Sequence, residues 1–475
     1  MKLLVIAADA LIPDYIFGKR ELFSNISELI SIGTSAEYSA YVQRNYYGSY
    51  SSAQNWASIY TGMPPYEHGV DISKTNDEYK HPEMSEFDDF EPIWKVLNDN
   101  GFSIGLFQPA CCNSPVSIDG YCVTSMYSPV FTATSNREAK RHLQVNEKDK
   151  WIFNLLDGEP PPRVYPKTLA QLGVSFLQLK ENPCLADELY SEYRFTEVVE
   201  NFRDELDYWK NNVINVYKKS PVDVVWFYTP STDIIPHFVL HEDNCSALID
   251  CYKLLDAFIG DLVKEFHPEN VMVMSDHGQA NFIELVKCSD PDIQREAFSK
   301  SEEALWLNNG YIAFEASNGG LLLTTHSLKG VFIASGQNIR NTNVSEMRTL
   351  DIYPTILEVL DVKVPDHRSG FVVDIFDRTL VNPARLLKTV PGKRIAIIQS
   401  YSVDITDIFI NEIYIENRFS SITIIGEEKY GEIFLNNPRV TGFIPFEEYD
   451  AAMFSQVYCC IYNTRTNLMR HLRVK

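Results

Sequence analysis

The sequence predicts an α/β fold in which helices cover both faces of a mostly parallel central sheet. Three observations predict it: short apolar runs are continuous rather than alternating, stretches with helical periodicity separate them, and acidic or histidine side chains follow several of the runs. Continuous apolar runs are typical of parallel strands buried on both faces, and strands that alternate with helices favour a three-layer arrangement.

The first domain is expected over residues 1–385. The runs interpreted as buried parallel strands are Leu3–Ala8, Ser103–Phe107, Val222–Tyr228, Val271–Met274 and Val331–Ala334. The helical patterns between them are Ile93–Asn100, Phe195–Lys218, Cys245–Phe266 and Asp351–Leu360. The stretch of about 128–220 is too long for a simple connection, and it contains a Pro-rich segment and a long polar helix. We therefore predict a helical insertion, or cap, near the mouth of a site.

A second unit is expected over residues 391–475, after Pro391-Gly392. Its predicted strands are Arg394–Gln399, Ser421–Ile425, Val440–Ile444 and Val457–Tyr462, with helical stretches between the first three and a short one around Glu447–Phe454. This is the pattern of a small, Rossmann-like βαβ-type module. It has no glycine-rich phosphate motif, so a structural or oligomerisation role is favoured over a separate ligand site, and a homo-oligomer is one candidate assembly.

Composition restricts the partners and the compartment. The formal net charge of −22 argues against nucleic-acid duplexes, which require a basic footprint. No run of 18 or more apolar residues predicts a membrane span, and the start MKLLVIAA is too short for a signal peptide. The nine cysteines have no framework spacing, which is typical of reduced thiols. We expect a cytoplasmic protein without a membrane partner.

Five segments contain side chains that could hold metal ions, and four of them follow predicted strands. The residues are Asp9, Ser52, Asp233, His237, Asp276, His277 and His326. Each has an ordinary interpretation when taken alone: a single Asp is a turn residue, and Ser52 is an N-cap serine. Together, three His, three Asp and one hydroxyl match what two divalent ions need, and imidazole favours zinc over magnesium.

The order and spacing of these segments resemble the alkaline phosphatase superfamily and, within it, the type I phosphodiesterase/nucleotide pyrophosphatase branch. The resemblance covers roughly residues 1–375. The matching pieces are Asp9 after the first strand, WASIYTGMPPYEHGV, IWKVLNDNGFSIGLF, STDIIPH, SDHG, H-x-x-x-G-V-F-I-A-S-G, and DIYPTILEVL with VPD. The resemblance implies an alkaline phosphatase-like three-layer domain.

The resemblance also implies roles for single residues. One metal would be held by Asp9, Ser52, Asp276 and His277, and the other by Asp233, His237 and His326. Zinc is the expected metal and manganese the alternative. Ser52 would be the nucleophile that forms a covalent phosphoseryl intermediate, and Asn55 would contact a phosphate oxygen. Family members usually have Thr followed two residues later by Pro, where this chain has Ser52 and Gln54, so Ser51 is the competing nucleophile.

The function that the resemblance implies is a phosphodiesterase or nucleotide pyrophosphatase acting on a small phosphoester, with nucleotides as a candidate class. One alternative is a phosphomonoesterase or phosphonate hydrolase that uses the same site, and another is a catalytically inactive ligand-binding protein. Sulfatase activity is disfavoured, because Gln54 and Trp56 occupy the positions where sulfatases need Pro and Arg. We interpret His68 as structural, and His241 either lines the substrate mouth or lies on a solvated helix.

Overall fold

The structure is a computed structural model of the chain, and it describes part of the 475 residues. The described residues are 1–40, 52–63, 68, 90–112, 114–127, 138–139, 141–166, 169–182, 185, 195–239, 245–281, 304–306, 312–315, 321–327, 329–344, 347–386, 394–398, 410, 421–435, 440, 442–448, 450, 456–463 and 468–473. Ser51, His241 and the Pro391-Gly392 boundary, which the sequence analysis singled out, lie outside these residues.

Helices and strands alternate along most of the chain. The α-helices are α1 (Pro13–Gly18), α2 (Ser24–Ile32), α3 (Ser52–Thr61), α4 (Ile93–Asp99), α5 (Phe176–Glu181), α6 (Thr196–Lys219), α7 (Ser231–His237), α8 (Ser246–Phe266), α9 (Thr349–Val359) and α10 (Gly431–Leu435). Short 3-10 helices are Arg20–Leu22, Glu147–Asn154, Ala170–Leu172, Pro383–Arg385, Glu428–Tyr430 and Phe446–Glu448.

The strands belong to a large sheet and to several smaller ones. They are β1 (Leu3–Ala8), β2 (Thr34–Ser39), β3 (Ile104–Phe107), β4 (Gly120–Tyr127), β5 (Glu138–Ala139), β6 (Arg141–Val145), β7 (Arg163–Val164), β8 (Val224–Thr229), β9 (Asn270–Met274), β10 (Gly278–Asn281), β11 (Ala304–Trp306), β12 (Ile312–Glu315), β13 (Leu321–Leu322), β14 (Thr324–Ser327), β15 (Lys329–Gly336), β16 (Thr342–Val344), β17 (Arg394–Ile398), β18 (Ser421–Gly426), β19 (Gly442–Pro445), β20 (Gln456–Asn463) and β21 (Leu468–Arg473).

The central sheet confirms the predicted α/β fold class. Among the described residues it has nine strands in the order β16-β2-β15-β9-β1-β8-β3-β4-β6. The core strands β9, β1, β8, β3 and β4 pair in parallel. One prediction was wrong in direction: β15, which contains Val331–Ala334, runs antiparallel to β9 and β2. It begins two residues after β14, which pairs antiparallel with β10 in a separate two-stranded sheet. A continuous apolar run indicates burial on both faces but does not fix the direction of the strand.

Helices pack on both faces of the sheet because successive side chains of β1 point to opposite sides. Leu3, Val5 and Ala7 lie in a core with α3, α4 and α9, whereas Leu4, Ile6 and Ala8 lie in a core with α2, α6 and α8. All six side chains are fully buried. Burying an aliphatic side chain of this size contributes about 1.5–3 kcal/mol, so β1 is a major element of the three-layer domain.

The long helix α6 packs against α8 on one face of the sheet, although the predicted insertion of about 128–220 includes it. Its apolar residues recur every three or four positions, and Trp209, Val213 and Val216 are fully buried. Strand β6, also within that stretch, pairs with β4 at the end of the central sheet. The boundaries of the insertion stay a prediction.

The C-terminal unit contains a separate sheet with the strand order β19-β18-β17-β20-β21. The four strands predicted there are present, and they pair in parallel. The fifth strand, β21, pairs antiparallel with β20 and was not predicted. A small core that includes Ile397, Ile422, Ile424 and Phe434 lies within this unit.

In the described part of the chain, no helix has the length and apolar character that a bilayer crossing needs. Of the cysteines described there, Cys122 and Cys251 are buried free thiols.

Candidate active site

Three parallel strands end next to one another at the edge where the candidate residues lie. Asp9 follows β1 directly, Asp233 lies in α7 just after β8, and Asp276 comes two residues after β9. Because β8 and β9 flank β1, these carboxylates meet at the carboxyl edge of the sheet. That edge is where ligands bind in open α/β sheets.

Ser52 is the first residue of α3, and its hydroxyl points at this edge. The oxygen lies 2.8 Å from Nε2 of His277 and 3.4 Å from Oδ1 of Asp9. His277 Nδ1 lies 2.9 Å from the carbonyl of Gly278, so Nδ1 carries the ring proton and Nε2 offers a lone pair. The hydroxyl of Ser52 therefore donates toward Nε2.

His277 is neutral in this environment. Burial lowers the pKa of its imidazole well below the usual range, and the neighbouring His326 ring lowers it further. The residue after His277 is glycine because there is no room for a side chain at position 278. A Cβ there would collide with the carbonyl of Lys329. A close backbone approach, not an unusual φ angle, therefore explains the glycine of the SDHG segment.

Asp9 and Asp276 are two buried carboxylates that lie beside each other at the site. Burial raises the pKa of Asp9 to about 6, and the charge of Asp233 adds to the shift. Burial and then the charge of Asp9 raise the pKa of Asp276 well above its usual range. Like charges that share a buried site disfavour ionisation. A positive charge bound beside Asp9 and Asp276 would therefore stabilise their ionised forms.

A second group forms where α7 meets β14. Nε2 of His237 lies 3.2 Å from Oδ2 of Asp233, and Nε2 of His326 lies 3.4 Å from Oδ1. The two imidazole Nε2 atoms are 2.9 Å apart. Burial would raise the pKa of Asp233, but His237 and His326 together lower it well below its usual range. Burial would lower the pKa of His237, but the Asp233 carboxylate raises it.

The cluster of Asp9, Asp276 and His277 contacts the cluster of Asp233, His237 and His326. The rings of His277 and His326 stack with centroids 3.9 Å apart. Ligand atoms of Asp9, Asp276 and His277 lie within 4.8 Å of one another, and so do those of Asp233, His277 and His326. The structure thus brings together all seven residues that the sequence singled out as metal ligands.

The donor set fits divalent cations. Carboxylate oxygens and imidazole nitrogens are the ligands that zinc takes in hydrolytic sites. Oδ2 of Asp276 is buried and receives no hydrogen bond from any described residue. Its neighbour at 3.2 Å is Nε2 of His277, whose lone pair cannot donate. A cation between these atoms would satisfy both, whereas an unsatisfied buried carboxylate oxygen is costly.

Asn55 lies one turn along α3 from Ser52 and is fully buried. Neither its amide nitrogen nor its amide oxygen has a hydrogen-bond partner among the described residues. Such an amide is costly to fold unless it serves a ligand. His68, by contrast, is a buried residue whose Nε2 lies 3.1 Å from the Ser58 hydroxyl, in keeping with the structural role expected for it.

Three side chains that contact the candidate ligands were missed in the sequence. The Tyr228 hydroxyl donates to Oδ2 of Asp9 at 2.6 Å, and the Trp56 indole N–H donates to the same oxygen at 3.3 Å. Trp56 is also fully buried in the core. Gln279 donates through Nε2 to the carboxylate of Asp233. A hydroxyl at the end of an apolar strand and a buried amide beside SDHG were the available signals.

Comparison with known proteins gives a family match. The family model described as type I phosphodiesterase/nucleotide pyrophosphatase matches residues 3–319. A search of curated proteins finds no match.

Solved structures similar to this chain include the human ectonucleotide pyrophosphatase/phosphodiesterase 5, with 12% identity, 77% of this chain and 96% of that chain covered, and a TM-score of 0.41. The murine protein of the same name, as an inactive variant in complex with AMP, has 14% identity and a TM-score of 0.44, and the match covers 77% of this chain and 96% of that chain. A mutant of the alkaline phosphatase PafA has 14% identity and a TM-score of 0.40, and the match covers 79% of this chain and 98% of that chain.

Proposed function

The chain belongs to the type I phosphodiesterase/nucleotide pyrophosphatase family and is a phosphoester hydrolase, and from this premise we propose that it works through two divalent cations and the nucleophile Ser52. One cation would be held by Asp9, Ser52, Asp276 and His277. The other would be held by Asp233, His237 and His326. We propose zinc as the metal, with manganese as the alternative, because three of the ligands are imidazoles.

The observation that supports this proposal most is the 2.8 Å contact between the Ser52 hydroxyl and Nε2 of His277. A capping serine would direct its oxygen to the backbone N–H groups of its own helix. Here the hydroxyl instead faces a histidine lone pair and the carboxylate of Asp9. That environment is suited to a serine that must lose its proton during the reaction.

When bound, the two cations would lower the pKa of the Ser52 hydroxyl and of a water and would neutralise the phosphate oxygens. Ser52 Oγ gives its proton to solvent and forms a bond to phosphorus, while the bond from phosphorus to the leaving oxygen breaks and that oxygen takes up a proton. Water next replaces Ser52 on phosphorus and regenerates the hydroxyl. The amide of Asn55 would hold another phosphate oxygen.

The net charge of the protein makes the cations necessary for substrate binding. The chain has a formal net charge of −22, and three aspartates converge at the site. A phosphodiester is an anion, so it would be repelled from this edge unless bound cations reversed the local charge. Membership of the family favours a small phosphodiester, and nucleotides are the class that the family name suggests.

An assay of two model substrates tests the proposal. Purified protein would be stripped of metal, reloaded with zinc or manganese, and assayed with bis-p-nitrophenyl phosphate and p-nitrophenyl phosphate. We expect metal-dependent release of p-nitrophenol, with a higher kcat/KM for the diester. A preference for the monoester would support the phosphomonoesterase alternative. Tight zinc binding without turnover of either substrate would support a ligand-binding protein instead.

A further inference from the structure

Gln279 has a buried side chain that connects ligands of the second candidate cation. It is 3% exposed and lies in β10, immediately after the SDHG segment. Its Nε2 donates to the backbone carbonyl of Asp233 at 3.1 Å and also to Oδ1 of the Asp233 carboxylate. One amide therefore contacts both the main chain and the side chain of one proposed ligand.

We propose that Gln279 is a positioning residue that holds Asp233 in the orientation required for cation binding with His237 and His326. The inference rests on the proposed function, because it concerns the same metal site. With Oδ1 held by Gln279, the carboxylate directs Oδ1 toward His326 and Oδ2 toward His237, at 3.4 and 3.2 Å from their Nε2 atoms. A freely rotating carboxylate would lose this arrangement.

The other end of the Gln279 amide connects to β14. Its Oε1 lies 3.0 Å from the Thr324 hydroxyl, which also donates to the carbonyl of Pro236 at 2.6 Å. The orientation of the amide follows from these contacts. If oxygen and nitrogen were exchanged, an oxygen would face both the carbonyl and the carboxylate of Asp233, which offer no proton.

Thr324 in turn orients the first of the two histidines. Its carbonyl lies 3.3 Å from Nδ1 of His237 and can accept a hydrogen bond from Nδ1–H, which would leave Nε2, the nitrogen that faces the site, available to a cation. Gln279 also pairs directly with His326 in the antiparallel register of β10 and β14. The Gln279–Thr324 pair thus contacts Asp233 and His237 and lies in register with His326, so it is connected to all three proposed ligands of one cation.

A purely structural role would give a different result from a positioning role. If Gln279 only joined α7 to the β10/β14 pair, its loss would lower stability without changing one metal site selectively. If Gln279 positions Asp233, its loss weakens one of two metal sites. Partners that orient metal ligands typically contribute about 10- to 100-fold to metal affinity.

The test is a zinc titration of the metal-free full-length protein against a chromogenic competing chelator, which resolves two dissociation constants. Gln279→Met keeps the length of the side chain and removes its hydrogen bonds. We expect it to raise one dissociation constant by about 10- to 100-fold and leave the other within about threefold. Gln108→Met is the matched control, because Gln108 is also buried and donates to a backbone carbonyl, that of Tyr228, at 3.3 Å. It should change neither constant.

The affected site is assigned with His326→Ala, which removes a ligand of the second cation. In that background Gln279→Met should leave the remaining dissociation constant unchanged. Thr324→Val, which keeps the side-chain shape, should weaken the same site as Gln279→Met and serves if that variant does not fold. Circular dichroism and thermal unfolding monitor the fold of every variant.

Two failures can be told apart. A wild-type protein that binds two zinc ions, together with Gln279→Met and Thr324→Val variants that bind them equally well, would overturn the positioning role and leave the proposed function intact. Equal weakening of both sites would also overturn it, since the effect would be general. A wild-type protein that binds no zinc or manganese would instead overturn the proposed function.

Discussion

The hydroxyl oxygen of Ser52 lies 2.8 Å from Nε2 of His277, although 225 positions separate the two residues in the sequence. α3 brings the serine to the sheet edge, and the end of β9 brings the histidine. Since Nδ1 of His277 is committed to the Gly278 carbonyl, its other nitrogen can only accept. The oxygen of Ser52 and the lone pair of His277 Nε2 thus face the same space, where one cation could bind both.

Removing this hydroxyl should abolish turnover and spare the fold. We expect Ser52→Ala to lower kcat by at least about three orders of magnitude, because no other described hydroxyl contacts His277 Nε2. The matched control is Ser58→Ala in the same helix, whose hydroxyl contacts His68 instead. That variant should keep its kcat and lose about 1 kcal/mol of unfolding free energy. Near-normal kcat in Ser52→Ala would reject the nucleophile assignment.

Asn55→Ala should lower kcat with little change in the free energy of unfolding. The amide has no hydrogen-bond partner among the described residues, so the loss of packing is offset by removal of unpaired polar atoms. We expect the free energy of unfolding to change by less than about 1 kcal/mol, whereas kcat falls about 10²- to 10³-fold because a donor to the phosphate is lost. Urea unfolding and steady-state kinetics measure the two quantities. An unchanged kcat would mean that Asn55 does not contact the substrate.

Tyr228→Phe should weaken the cation site that contains Asp9. The Tyr228 hydroxyl donates to Oδ2 of Asp9 at 2.6 Å, and burial keeps its pKa well above the usual range, so it stays protonated. We expect zinc affinity at one site to fall about 10- to 100-fold. Tyr121→Phe is the control, since that buried hydroxyl has no hydrogen-bond partner among the described residues. If both variants titrate like the wild type, the hydroxyl of Tyr228 does not support the site.

Removal of the metal ions by a chelator should abolish activity and lower the free energy of unfolding. Without cations, burial raises the pKa of both Asp9 and Asp276, and the charge of a neighbouring aspartate adds to each shift. Zinc at 1,000 times its dissociation constant should stabilise the folded protein by about 4 kcal/mol relative to the metal-free form. Differential scanning calorimetry with and without zinc measures the effect. A melting temperature that does not respond to chelator or zinc would contradict a bound metal.

His68 should make the protein sensitive to acid. Burial lowers the pKa of His68 to about 3, so the folded state keeps it neutral while the unfolded state takes up a proton below a pH of about 6.5. Its contribution to stability is complete above that pH and falls by about 1.4 kcal/mol per pH unit as the pH drops toward about 3. Urea unfolding from pH 7 to 5 should therefore show a shallower pH dependence for His68→Asn than for the wild type. Equal slopes would refute the burial effect.

Much of the fold was predictable because burial on both faces leaves a clear mark in the sequence. β1 coincides with the predicted run Leu3–Ala8, and all six of its side chains are fully buried. The direction of β15 could not be predicted in this way. A strand of an antiparallel pair in the middle of a covered sheet has the same continuous apolar character as a parallel strand. Strand β21 has charged residues in its sequence and no continuous apolar run, so it was not predicted.

The candidate ligands were predictable and their supporting residues were not. Asp9 and Asp276 follow buried strands, and the topology of a parallel sheet then requires their convergence at one edge. The contacts of Tyr228 and Gln279 depend on which side chains the fold places opposite them. Tyr228 lies on the same sheet face as Trp56, and Gln279 lies beside α7. The spacing of residues along the chain reveals neither relationship.

The two-cation proposal requires metal ions between the convergent side chains and beside Ser52. Anomalous diffraction at the zinc edge from crystals of the zinc-loaded protein locates such ions. We predict two peaks, one about 2.0–2.3 Å from ligand atoms of Asp9, Asp276 and His277 and the other equally close to Asp233, His237 and His326. Zinc peaks elsewhere, or no ordered peak between these residues at full zinc occupancy in solution, would show that these side chains do not form a two-cation site.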